Sequence, residues 1–306
     1  MSEKSVFDFY PTRTSSECKL VPRTDPVVYS DSFSILSRER INFFKENGFL
    51  VFDNLFSSTE VNVLFNELTS LCNDESKKTL PQFILEESDN EVRSIFEIRK
   101  LSKLYDKLSR DKRLLGVVDQ LLGSQVYLHQ SRVNLKPGFD GKEFYWHSDF
   151  ETWHSEDGMP NMRAVSCSIA LTPNYEFNGP LMVVPGSHKK FVSCGGITPD
   201  SHYKQSLKRQ EIGTPSKEIL NKMVQDGGIK SIKGNAGSVV FFDCNLMHGS
   251  NGNISPYPRS NVFFVFNSIH NSLQEPFCGL APRPNYIASR NFEPLQPFED
   301  SLSFES

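Results

Sequence analysis

The sequence predicts a mainly β protein with flanking helices, its core a double-stranded β-helix of the jelly-roll, cupin-like kind. Three observations predict it. From Gln125 onward the apolar period changes to two, the runs are short (126–135, 164–171, 181–184, 238–242 and 261–266), and Gly, Pro and Asn punctuate them.

The elements follow in chain order. Ser57-Ser58-Thr59-Glu60 has the spacing of a capping box, and Val61, Leu64, Phe65, Leu68 and Leu71 then recur at helical intervals, which predicts a helix with one apolar stripe. A second helix is expected over 112–122, stopped by Gly123. The polar stretch 77–90 between them reads as a loop, so 1–124 reads as a helical flank and 125–270 as the jelly-roll core. Residues 189–233, with Pro199, Gly213, Pro215 and one helix near 217–224, read as an insertion on that core, and 271–306 as a C-terminal tail. The expectation is a single domain spanning 1–306.

The strand faces carry different chemistry. Gln130, Arg132, Asn134 and Lys136 share one side of their run, with Val133 and Leu135 on the other; Ser166, Ser168 and Ala170 oppose Val165, Cys167, Ile169 and Leu171. The last run puts Arg259, Asn261 and Phe263 together. One such face alone would simply meet solvent. Three of them on one closed barrel make a polar interior.

Composition excludes several function classes. Lys plus Arg number 33 and Asp plus Glu 37, a net charge of −4, so there is no broad cationic field for nucleic acid or anionic lipid. The first twenty or so residues lack the apolar segment of an export signal, and no run approaches the roughly 18 apolar residues of a membrane span. The six cysteines form no Cys-x-x-Cys pair, which fits reduced thiols and a cytoplasmic location.

The chemical signal is His147-Ser148-Asp149 with His248 far downstream. Residues two apart in extended chain project to one side, so His147 and Asp149 can reach one ion and His248 can supply a third ligand. Two imidazoles and one carboxylate on one face of an octahedron leave three positions open, as non-haem Fe(II) needs to bind a chelating cosubstrate and O2. Arg259, eleven residues beyond His248, offers a bidentate grip for the distal carboxylate of a cosubstrate such as 2-oxoglutarate. His129, His202 and His270 read as structural or solvated, and His154 and His188 as neighbours of the site at most. No His-Glu-x-x-His helix supports a zinc hydrolase.

Longer motifs surround these residues: Phe144-Tyr145-Trp146-His147-Ser148-Asp149-Phe150-Glu151-Thr152-Trp153-His154, Asn178-Gly179-Pro180-Leu181-Met182, Pro185-Gly186-Ser187-His188, and His129-Gln130-Ser131-Arg132-Val133-Asn134 leading to Lys136-Pro137-Gly138. With them the chain resembles the phytanoyl-CoA dioxygenase superfamily and, within it, the ectoine hydroxylases. The resemblance runs from Asp8-Phe9-Tyr10-Pro11 to Arg283-Pro284. It implies iron on His147, Asp149 and His248, and 2-oxoglutarate on Lys136 and Arg259 with Phe144, Asn134, Ser166 and Ser168 close by. It implies ectoine against Gln130, Trp153, Phe242 and Phe263, hydroxylation to 5-hydroxyectoine with succinate and CO2 released, and a homodimer. Ectoine is a small zwitterion with a flat, delocalised amidinium, which aromatic faces hold well. The resemblance expects His where this chain has Arg99, and assigns nothing to 77–82 or to the tail beyond 292. Two other readings stay open on the residues alone: a related dioxygenase acting on another small solute or amino acid such as proline, and a jelly-roll protein that binds metal or ligand without catalysis.

Overall fold

Ser57 caps the helix Ser58–Asn73 as its spacing requires: its Oγ accepts from the Glu60 amide and Glu60 Oε2 accepts from the Ser57 amide at 2.7 Å. The helix Lys112–Leu122 ends at Gly123, whose φ of 59° is left-handed and where a Cβ would lie 2.6 Å from the Tyr29 carbonyl oxygen. The computed structural model describes residues 7–32, 34–86, 91–207 and 210–298. Among the described residues no helix is long and apolar enough to cross a membrane.

The strands are β1 (Lys19–Pro22), β2 (Phe49–Phe52), β3 (Phe83–Leu85), β4 (Val92–Phe96), β5 (Val126–Lys136), β6 (Phe144–His147), β7 (Ala164–Ala170), β8 (Leu181–Val183), β9 (Lys190–Ser193), β10 (Lys230–Ile232), β11 (Val239–Asp243), β12 (His248–Ser250) and β13 (Arg259–Ser268). A seven-stranded sheet runs β2-β11-β7-β13-β5-β4-β3 and a four-stranded sheet β10-β8-β12-β6, antiparallel throughout, while β1 and β9 form a separate pair. The two larger sheets face each other: Leu181, Val183 and Ile232 of the smaller pack against Phe49, Val240, Phe242 and Phe263 of the larger. On the outer side of the large sheet, Val165, Cys167, Ile169, Phe241 and Phe264 pack under helix residues Leu64, Leu68, Leu114 and Val118. Both faces of the central strands are therefore buried, one apolar beneath helices and one mixed between the sheets. The layer order is helices, large sheet, site, small sheet.

Three expectations need correction. The 1–124 flank is not helical alone, because β2 and β4 join the large sheet; each is a run of four or five residues too short for its period to be read. The 77–90 stretch contains β3, paired with β4 through Phe83 and Ile95, and its residues 87–90 lie outside the described ones. The insertion ends earlier than 233, since β10 pairs with β8 and closes the edge of the small sheet; its helix, Lys217–Gly227, stands where expected. Residues 293–298 of the tail return to the helical layer, where Leu295 is buried and Lys107 lies over the Phe298 ring.

Gly158 follows the buried π-helical turn Trp153–Asp157 with a φ of 78°, and a Cβ there would lie 2.2 Å from the Gln274 carbonyl oxygen. A left-handed Ala costs about 1–2 kcal/mol before any clash. Gly158→Ala should lower the thermal midpoint by several degrees; an unchanged midpoint would contradict this packing.

Candidate active site

β6 ends at His147 and β12 begins at His248, and the two histidines are direct partners across the strands, with ring centroids 4.3 Å apart. Ser148 is extended (φ −106°, ψ 137°), and Asp149 then opens the short helix Asp149–Thr152. The same-side placement of His147 and Asp149 thus arises where a strand turns into a helix. Asp149 Oδ1 lies 3.7 Å from His147 Nε2 and 3.9 Å from His248 Nε2, and the three donor atoms all fall within 4.8 Å of one another. Bonds of about 2.1 Å to one ion would set neighbouring donors about 3 Å apart, and the two distances from Asp149 Oδ1 exceed that spacing by less than an ångström.

Each donor is held by a second bond. His147 donates its Nδ1–H to the Tyr145 carbonyl at 2.6 Å and His248 its own to the Leu246 carbonyl at 2.9 Å, which leaves both Nε2 lone pairs free. Ser166 donates to Asp149 Oδ2 at 3.2 Å, leaving Oδ1 to the histidines. Burial, then the nearby His248, pushes His147 down to about 4, so its ring is neutral near pH 7. Burial works against the Asp149 carboxylate, but His248, His147 and then Arg132 hold its pKa below the ordinary value. Among the described residues this is the one group of three such side chains. The remaining histidines are occupied elsewhere: His129 beside Asp157, His154 with Asp8, His188 with the Lys45 carbonyl, and His202 with Glu156, while His270 is exposed.

The three donors open on a cavity of about 360 Å³, also lined by Gln130, Asn134, Phe144, Trp153, Arg259 and Phe263. Arg259 is 2% exposed; its Nη1 donates to the Gly179 carbonyl at 2.8 Å, its Nε has no partner, and no carboxylate of the described residues pairs with it. Opposite it across the strands is Lys136, donating to Ser250 Oγ at 2.9 Å and to the Asn251 carbonyl. Burial, then the Arg259 and Arg93 charges, push Lys136 down to about 6. A buried guanidinium without a carboxylate partner, beside a buried amine, fits an anionic ligand.

Four residues singled out in the sequence do not line the cavity. Lys136 reaches its wall through Ser250 and Ser166 through Asp149, whereas Ser168 accepts at 3.1 Å from Asn261, which is not on the wall. Phe242 packs edge-on against the His248 ring, with centroids 5.1 Å apart. The sequence reading gave no role to Arg93, Arg132, Gln210 or Arg283, which also line the cavity. For Arg132 the signal was present, since it alternates with Gln130 and Asn134 on β5.

The family model described as phytanoyl-CoA dioxygenase (PhyH) matches residues 44–261. The chain belongs to this family. Among curated members it is 53% identical to the ectoine dioxygenase of Bordetella bronchiseptica over 298 residues, 96% of each chain. To the ectoine dioxygenase of Streptomyces coelicolor it is 50% identical over 294 residues, 95% of this chain and 98% of that one. The crystal structure of EctD from S. alaskensis with 2-oxoglutarate and 5-hydroxyectoine superposes with a TM-score of 0.87 at 42% identity, covering 97% of this chain and 100% of that one.

In this phytanoyl-CoA dioxygenase family member the donor set of two imidazoles and one carboxylate fits a divalent iron with open positions. His248→Ala and Asp149→Ala should each weaken Fe(II) binding by about 100-fold or more, read by anaerobic calorimetric titration. Ser166→Ala should weaken it by about tenfold. Unchanged affinity in either of the first two would remove the residue from the site.

Proposed function

We propose that this chain is an Fe(II)- and 2-oxoglutarate-dependent dioxygenase that hydroxylates ectoine to 5-hydroxyectoine, with O2 consumed and succinate and CO2 formed. The observation that carries the reading is one cavity with the His147, Asp149 and His248 donors on its wall and the carboxylate-free cation Arg259 beside Lys136. The full-length similarity to ectoine dioxygenases supplies the substrate.

When bound, the iron supplies the oxidising chemistry, coupling decarboxylation of 2-oxoglutarate to hydroxylation of a carbon–hydrogen bond. The protein's own work is binding, orientation and exclusion of water. Arg259 and Lys136 take the distal carboxylate of 2-oxoglutarate, with Asn134 and the Phe144 ring beside them. Ser166 acts through Asp149, and Ser168 through Asn261. At the other end, Trp153 and Phe263 offer aromatic faces for the flat amidinium of ectoine, and Phe242 backs His248. The Gln130 amide is fixed from both sides: it donates to the Ile287 carbonyl at 2.8 Å and accepts from Arg132 at 2.6 Å, which presents it to substrate in one orientation.

The whole chain is read as one dioxygenase domain. A cytoplasmic location is supported by six unpaired thiols. The homodimer rests on the family resemblance.

Aerobic incubation with Fe(II), 2-oxoglutarate and ectoine should yield succinate and 5-hydroxyectoine in equal amounts, followed by mass spectrometry and NMR. Succinate without hydroxylated ectoine would discard the substrate, and no succinate would discard the enzyme. Trp153→Ala should raise KM for ectoine about tenfold or more while leaving 2-oxoglutarate binding within about twofold.

A pH dependence follows from Lys136. Held at about 6 by burial, Arg259 and Arg93 against the weaker pull of Glu143, it is mostly neutral in the free site near pH 7.5. A dianion beside it favours the charged form, so binding should take up close to one proton there and weaken as pH rises further. Calorimetry in buffers of different ionisation enthalpy at about pH 7.5 reads this directly; no proton uptake would mean that Lys136 keeps one protonation state through binding and would overturn the dependence.

A further inference from the structure

Arg93, on β4, is 4% exposed and lines the same cavity. Its Nη1 pairs with Glu86 at 2.8 Å, its Nη2 donates to the Glu143 carbonyl at 3.3 Å, and its Nε is buried without a partner. The guanidinium carbon stands 4.5 Å from the centre of the Phe144 ring, and Lys136 Nζ stands 5.2 Å from the same ring. Arg259 is the cross-strand partner of Lys136. Two buried guanidinium groups, of Arg93 and Arg259, therefore line the cavity, with the Lys136 amine behind its wall. Among the described residues Glu86 is the one carboxylate in an ion pair with any of them, while Glu143 acts on Lys136 from the exposed edge.

We propose that Arg93 is a third cationic residue of the dicarboxylate subsite, fixing the Phe144 face and the backbone that enters β6, and adding its charge to that of Arg259. The proposal rests on the assignment of this end of the cavity to 2-oxoglutarate. Two charges have to be met there. With Lys136 discouraged from carrying a proton by its neighbours, the guanidinium of Arg93 on the cavity wall is the second group, beside that of Arg259, that can meet a dianion. Arg93 also spans two strands that do not pair, tying β4 to the start of β6 through the Glu143 carbonyl, so its loss would loosen Phe144 as well as remove charge.

The test is an anaerobic calorimetric titration of 2-oxoglutarate into iron-loaded protein, with KM for ectoine measured alongside. Arg93→Gln should weaken 2-oxoglutarate binding by about tenfold or more, leaving KM for ectoine within about twofold. Arg93→Lys should recover part of the loss, because charge returns without the planar fork. Glu86→Gln, which frees the guanidinium from its carboxylate, should tighten binding several-fold. Wild-type affinity in Arg93→Gln, or equal losses for both ligands, would overturn the proposal. Should Arg93→Gln fail to fold, Glu86→Gln decides, and unchanged affinity in it overturns the role. A wild-type protein that does not bind 2-oxoglutarate would instead overturn the assignment of the cavity itself.

Discussion

The side chains of Arg13, Arg23 and Arg283 are buried as that of Arg259 is, yet each of the three closes on carboxylates: Arg13 on Glu151 at 2.7 Å and on Glu156 at 2.5 Å, Arg23 on Asp243 at 2.9 Å, and Arg283 on Asp157 at 2.6 Å. Removing one partner of such a pair costs about 3–5 kcal/mol, because it strands a charge out of water. The pairs are therefore strong constraints on backbone position. Glu151, Glu156 and Asp157 lie on the segment that begins at Asp149 and carries Trp153 into the cavity, and Asp243 ends the strand that leads to His248. Arginines from both ends of the chain thus fix the segments that carry the site. Arg259 has no such partner, and that contrast separates a cation that holds the fold from one free for a ligand.

The alternation of the central strands was legible in the sequence, and with it the fold. Val165, Cys167 and Ile169 pack beneath the helices, whereas Ser166 and Ser168 turn toward the interior. The clustering of His147, Asp149 and His248 was legible because two of them stand two apart where a strand ends, with one distant His and a trailing Arg downstream. The helix boundaries at Ser57 and Gly123 were legible because capping is local chemistry.

What was not legible depends on long-range pairing. Phe49–Phe52 and Val92–Phe96 are short runs that become strands only because β11 and β5 present edges to them, and local period says nothing of that. Arg93 was hidden with β4 for this reason. Gln210 reaches the cavity from within the segment read as an insertion, a path that no spacing encodes. The burial of the three carboxylates Glu151, Glu156 and Asp157 has no local signal. Their burial follows from Arg13, more than 130 residues upstream, and Arg283, more than 120 downstream.

These two kinds of restraint divide the site. The two imidazoles are fixed by short-range bonds to carbonyls two residues away, whereas Asp149 is fixed from elsewhere in the barrel, through Ser166 and through the Phe150 amide, which donates to the Cys244 carbonyl at 2.8 Å. The wall that carries Trp153 is fixed instead by contacts from distant parts of the chain, on a π-helical turn, a geometry that recurs at functional sites because its wider turn departs from the regular ladder. Short-range restraints form with the strands themselves. Long-range ones close only when both chain ends have docked. The imidazole pair is therefore placed by the barrel strands, whereas the wall that carries Trp153 depends also on the first and last segments of the described chain, which reach it through Arg13 and Arg283.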